Sequence, residues 1–256
     1  MDDTLFSAAV LQKLPLADAA WRLLHFTMSE AWLSDLWSKN RGLCQERILR
    51  FGTLAHLVAE ALLQHGGSGR QAFERAREQA RLPVSIGSAF EKLGNLPLAL
   101  SENFLYEGTL RLHETMAVQP PVDPLESCWQ EHEVFVVDGK AIKHVSRLLK
   151  PLRNLQAGIL GARAAVALSL RSGMAVAMSG HLDGEAGEAK LSENVLSKLA
   201  ESARASHRPW VIVLDRLYCN LTFPPLILNA CGHYVIRYDL HTSFHADKTR
   251  SSREYP

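Results

Sequence analysis

The spacing of apolar residues changes once along this chain, and it changes at a cluster of prolines. In residues 51–64, Leu54, Leu57, Val58, Ala61 and Leu62 recur three and four apart, which puts them on one stripe of a helix. Beyond residues 117–125 (AVQPPVDPL) the apolar runs become short and rich in Val, Ile and Ala, the pattern of strands. Pro120, Pro121 and Pro124 each lack an amide donor and restrict the residue before them, so neither helix nor central strand continues through the segment. The chain therefore divides into a helical region at 1–116, a Pro-rich linker at 117–126 and a sheet-bearing region at 127–256. The expected class is α+β, with α/β character where a helix joins parallel strands.

In the helical region, His65-Gly66-Gly67-Ser68-Gly69 stops the first helix. A second helix is expected over 70–81, its face interleaving Arg70, Glu74, Arg75, Arg77, Glu78 and Arg81 until Pro83 ends it. Ser88, with Glu91 three residues on, suits a capping box for a short helix closing at Gly94, and a last helix is expected over 98–116. Trp21, Trp32 and Trp37 read as packing residues rather than base-stacking platforms. In the second region strands are expected at 134–137, 164–170, 174–178, 211–214 and 233–240. Arg171-Ser172-Gly173 suits a hairpin between the second and third of these. Leu191, Val195, Leu199 and Ala203 fall four apart, marking a helix before the fourth strand. Such a crossover favours a parallel pair in a mixed sheet.

Hydrophobic residues make up 47% of the chain, which excludes disorder as its main state. The longest apolar candidate for a membrane span, residues 158–170, is interrupted by Arg163, and the Met1-Asp2-Asp3 start lacks a basic leader, so no membrane and a cytoplasmic location are expected. Cys44, Cys128, Cys219 and Cys231 lie far apart with no metal-ligand spacing and read as buried thiols. The formal net charge of +1 conceals an asymmetry: residues 1–133 carry 12 Lys+Arg against 17 Asp+Glu, and the remainder carries 16 against 10. Between Asp138 and Asp183 no acid occurs, while Lys140, Lys143, Arg147, Lys150, Arg153, Arg163 and Arg171 do. Such a tract repels itself unless a polyanion or solvent screening offsets the charge.

Two acids sit in matching contexts: Asp138 follows VFVV and Asp215 follows VIVL. A carboxylate leaving a buried strand is costly to desolvate without a cation or strong donors nearby. If the strands are neighbours, both carboxylates reach one divalent metal, which suits phosphoryl chemistry. The plainer reading is that each Asp caps a turn, Asp138-Gly139 being a frequent turn dipeptide. The segment from Asp183 to Gly187 reads as a turn between strand and helix rather than a calcium loop. His144 and His181 lie in the acid-free tract, more suited to solvent than to catalysis. No phosphate-binding P-loop and no nucleophile elbow is present.

The strings VFVVDGKAIKH, VIVLDRLYCN and GHYVIRYD, in that order, resemble the bacterial insertion-sequence DDE transposases, whose catalytic core is ribonuclease-H-like. The resemblance spans about residues 133–247 and rests on the order and combination of motifs, since each alone is weak. It implies a partial ribonuclease-H-like mixed sheet with flanking helices, and Asp138 and Asp215 as catalytic, metal-binding acids for Mg2+ or Mn2+. It also implies DNA contacts from Lys140, Lys143, Arg147, Lys150, Arg153, Arg216 and Arg237. Double-stranded DNA, as transposon ends and target, and a second copy in a synaptic dimer would be the partners, with the protein on the nucleoid when bound. The helical region is similar in character to the one that precedes such cores and helps bind transposon ends. The family's third acid, a Glu within a Tyr-Arg-Glu-Lys pattern, has no counterpart: Glu254 lacks the upstream Tyr and Arg, and Asp239 and Asp247 are poor substitutes.

The expectation that follows is an amino-terminal, truncated portion of a transposase for metal-dependent phosphodiester cleavage and strand transfer, inactive as this chain. A second possibility is a non-catalytic DNA-binding fragment that occupies transposon ends or pairs with full-length subunits. A third is an α/β enzyme handling a phosphorylated small molecule, with Asp215 at a strand end.

Overall fold

The computed structural model describes residues 23–116, 129–142, 162–183, 186–220 and 222–238. The chain forms two compact units, Met1–Pro120 and Pro121–Pro256.

The first unit is helical: α1 (Glu30–Asn40), α2 (Phe51–Gln64), α3 (Gly69–Glu78), α4 (Ile86–Gly94) and α5 (Leu98–Met116). Helices α2 and α5 take the bounds their apolar spacing predicts. Leu54, Leu57 and Ala61 of α2 pack against Ala72, Phe73 and Ala76 of α3 and Ala89 of α4. Trp32, Leu33, Leu36 and Trp37 of α1 are buried with Phe51 and Leu100. Two boundaries differ from expectation. Helix α3 ends at Glu78, where Ala80 adopts φ 56° and the Arg81 amide reaches back to the Ala76 carbonyl at 2.8 Å, so a left-handed cap rather than Pro83 stops it. Helix α4 begins at Ile86 under Ser85, whose Oγ accepts the Ser88 amide at 3.1 Å. The cap lies three residues before Ser88 because Ile86 packs against the core and must already be helical.

The second unit holds β1 (Glu133–Ile142), β2 (Ala162–Ser169), β3 (Ala175–His181), α6 (Glu188–Ser206), β4 (Trp210–Leu214), a 3-10 turn (Arg216–Tyr218), α7 (Phe223–Asn229) and β5 (His233–Ile236). The strands form one sheet in the order β3-β2-β1-β4-β5. Strands β1, β2 and β3 pair antiparallel, while β1 pairs β4 and β4 pairs β5 in parallel. This is an α+β fold consistent with a partial ribonuclease-H-like core.

One face of the sheet is closed by α6. Its Leu191, Val195, Leu199 and Ala203 stripe packs with Leu196 and Ala200 on Phe135, Val137, Ala165, Ala167, Ile212 and Leu214. A fully buried Leu such as Leu199 contributes roughly 1.5–3 kcal/mol through lost apolar hydration. Gly173, at φ 67°, makes the tight β2–β3 connection.

Strand β5 ends at Ile236 rather than Leu240; Arg237 and Tyr238 are no longer strand, and 239–240 fall outside the described residues. The cysteines correct another expectation: Cys219 is buried, but Cys44 is half-buried and Cys231 exposed. Cys231 occupies the left-handed C-terminal position of α7 at φ 60°, where its side chain points away from the core, and Cys128 lies outside the described residues. Among the described residues no helix is long and apolar enough to cross a membrane.

Candidate functional site

The β-branched runs VFVV and VIVL form the two central strands, and their pairing sets the site. β1 and β4 run parallel in register from Glu133↔Trp210 to Val137↔Leu214. Asp138 and Asp215 are the next residues along each chain, directly past the last rung of a pair whose strands run about 4.8 Å apart. Phe135, Val137, Ile212 and Leu214 point into the core beneath α6, so the alternation along each strand turns Asp138 and Asp215 to the other face. Both are exposed.

The two acids are held differently. Asp138 is not in a turn: β1 continues through Gly139 to Ile142, with Asp138 opposite Val166 of β2. The ladder with β2 overrides the local turn preference of Asp-Gly. Asp215 does cap, as the plainer reading has it. It leaves β4 still extended, at φ −73° and ψ 169°, and its Oδ1 accepts the Arg216 amide at 2.6 Å at the start of the 3-10 turn. Capping occupies one lone pair of one oxygen and leaves the carboxylate accessible.

Arg237 joins the same row. β5 pairs β4 from Val211↔His233 to Leu214↔Ile236, and the Arg237 amide donates to the Leu214 carbonyl at 3.1 Å, placing Arg237 beside Asp215. Directly past the last rungs of the parallel β1–β4 and β4–β5 ladders the chain thus sets acid, acid and guanidinium. Arg216 is exposed in the turn itself. Lys140 lies on β1 opposite Ala164; its side chain, and all of Lys143, Arg147, Lys150 and Arg153, fall outside the described residues.

Two cations of the acid-free tract serve the fold instead of an open basic surface. Arg163 donates to the Ala186 carbonyl at 2.8 Å, ahead of α6. Arg171 donates to the carbonyls of Gln130 and His132 at 2.7 and 3.0 Å and lies 3.5 Å from the Glu133 carboxylate. Arg208 adds a bond to the Gln130 carbonyl at 3.1 Å. His181 is exposed, its Nδ1 accepting the Asp183 amide at 3.1 Å, which fixes the strand-to-helix turn; His144 lies outside the described residues.

Tyr218 of the DRLY motif is buried, packs on Phe223 at a centroid distance of 5.0 Å, and its hydroxyl lies 2.7 Å from Ser192 Oγ on α6. Sequence reasoning missed Ser192. The available signal was its place beside Leu191, Val195 and Leu199, because a hydroxyl on an apolar helix stripe needs a polar partner.

The donor chemistry suits a hard divalent ion. Two neighbouring carboxylates repel one another without a cation between them, and Mg2+ commonly takes one or two carboxylates and completes its shell with water and substrate phosphate. No group of three His, Cys, Asp or Glu side chains placed to hold a metal occurs among the described residues.

No protein-family model and no curated protein matches this chain. Among solved structures, a chain in the cryo-EM structure of the simian T-cell lymphotropic virus intasome in complex with PP2A regulatory subunit B56 gamma matches at 16% identity and a TM-score of 0.27. The match covers 52% of this chain and 43% of that one, so this chain spans less than half the length of the structure it resembles.

Proposed function

We propose that the second unit acts on nucleic-acid phosphodiesters in the manner of an insertion-sequence transposase, with Asp138 and Asp215 holding Mg2+ or Mn2+. The observation that carries the reading is the adjacency of the two carboxylates at the ends of the parallel β1–β4 pair. A divalent ion held there would polarise a phosphoryl oxygen and lower the pKa of an attacking water or hydroxyl. Asp138, held by its ladder to β2 one step beyond the β1–β4 rungs, and Asp215, oriented by the Arg216 amide, would supply the negative charge that binds it. Arg237 and Arg216 offer guanidinium donors to phosphate oxygens in the same row, where fork geometry favours bidentate contact.

The test is Mn2+ titration of the full chain followed by electron paramagnetic resonance, together with cleavage and strand-transfer assays on duplex DNA. Wild-type binding that is lost in both Asp138→Asn and Asp215→Asn supports the reading; binding that persists in both defeats it.

A second reading is a DNA-binding protein without turnover, and the observation favouring it is the lack of a third acidic ligand among the described residues. Fewer fixed carboxylates hold a metal less rigidly, and rigid electrostatic positioning supplies most of the acceleration in phosphoryl transfer. Salt-sensitive duplex binding with no metal-dependent product distinguishes it.

A further inference from the structure

The Asp215 carboxylate stands on a single tight turn, and the far end of that turn is buried. The Tyr218 amide donates to the Asp215 carbonyl at 3.1 Å and the Cys219 amide to the Arg216 carbonyl at 2.9 Å, so Asp215 and Tyr218 close one 3-10 turn. The Asp215 side chain fixes the same turn from its other end through the Arg216 amide. Tyr218 is 1% exposed, with its ring against Phe223 and its hydroxyl on Ser192, itself 1% exposed. Two residues along α6, the Asn194 amide nitrogen donates to Ser179 Oγ on β3 at 3.2 Å, pinning the helix to the sheet near the same level.

We propose that Ser192 is a positioning residue for the Asp215 carboxylate, acting through the Tyr218 hydroxyl. A turn of three residues has few internal degrees of freedom, so a displacement of Tyr218 passes to Asp215 with little attenuation. Releasing the hydroxyl pair lets the 3-10 turn rotate about the end of β4, which moves the carboxylate relative to Asp138 while leaving the β1–β4 ladder intact. Polar groups that orient a ligand through such a contact typically change metal affinity by about 10–100-fold when removed. The metal arm of this inference rests on the reading of Asp215 as a metal ligand; the geometric arm does not.

The experiment uses the full chain and three hydroxyl deletions: Ser192→Ala, Tyr218→Phe and, as a control for general loss of a buried hydroxyl, Ser179→Ala. Two quantities are read in each, the hydrogen-exchange rate of the Arg216 amide by NMR and the affinity for Mn2+. Ser192→Ala and Tyr218→Phe should each accelerate Arg216 exchange and weaken Mn2+ binding by about tenfold. The double variant should add little to either single one, because both remove the same contact. Ser179→Ala should leave both quantities unchanged. An Arg216 amide as protected in Ser192→Ala as in wild type overturns the positioning role. A wild-type chain that binds no Mn2+ overturns the metal reading instead, and Arg216 exchange then decides the positioning role alone.

Discussion

Replacing Gly232 by Ala should loosen the sheet at β5, the strand that leads into Arg237. A Cβ at this position would lie 2.4 Å from Cζ2, 2.5 Å from Cη2 and 2.6 Å from Cε2 of Trp210. Comfortable carbon contacts begin at about 3.5 Å, so the ring or the backbone must give by about 1 Å. The ring has little room: Trp210 is 3% exposed and sits edge-on to Phe135 at 6.4 Å within the main core. Overpacking of this kind costs roughly 1–3 kcal/mol. With three ring atoms in conflict we expect the upper half of that range, about 2–3 kcal/mol, a fall in Tm of about 5–10 °C for a unit of this size. Urea denaturation followed by tryptophan fluorescence measures the stability. The double substitution Gly232→Ala with Trp210→Leu should recover part of the loss attributable to the clash, judged against Trp210→Leu alone. If Gly232→Ala melts within about 1 °C of wild type, the packing argument is wrong.

Four further outcomes follow from features on other elements. Ala80→Gly should stabilise the first unit by about 0.5–1 kcal/mol in urea denaturation, because a left-handed Ala is strained where Gly is not. Arg81→Ala should cost about 1–2 kcal/mol, since it leaves the buried Glu60 carboxylate without its two-pronged partner at 2.9 Å, a cost moderated by the half-exposed position of Arg81. Burial first, and then the neighbouring His25 ring, hold His56 below its ordinary pKa. Between that lowered value and about 6.5 the unfolded chain binds more protons, so stability is full above about pH 6.5 and declines as pH falls through the window; His56→Gln should remove that part of the slope in denaturation series at several pH values. Duplex DNA affinity of the full chain should fall by about 0.9 log units per log unit of salt for each phosphate neutralised, and Arg237→Ala should flatten the slope by about one contact; an unchanged slope removes Arg237 from the interface.

Local signals were readable where one element decided them alone. The α2 stripe from Phe51 and the stop at His65-Gly66-Gly67 fixed that helix without help from the rest of the fold. The runs ending at Asp138 and Asp215 likewise announced buried strands. Their pairing was legible only through the family resemblance, because parallel pairing of β1 with β4 joins residues far apart in sequence and depends on α6 crossing between them. Arg237 was named through the family resemblance, as a DNA contact, while its place next to Asp215 follows only from the β4–β5 register. Asp138-Gly139 shows the opposite case, a strong local turn signal overruled by pairing with Val166 and Ala165. Ser192 was obscured by its small size, and the fate of Arg163 and Arg171 by the fact that charge counts do not distinguish a phosphate oxygen from a backbone carbonyl.

Strand β1 outruns its parallel neighbour. It is flanked on both sides up to Val137, whereas from Asp138 to Ile142 it pairs with β2 alone and becomes the edge of the antiparallel β1–β2–β3 part of the sheet, overhanging the end of β4. An edge strand leaves one row of its backbone groups outside the sheet ladder. The change from central strand to edge strand therefore falls at Asp138. Amide exchange should quicken from Phe135 toward Ile142, the outer rungs opening by local fraying and the inner ones only with the whole sheet.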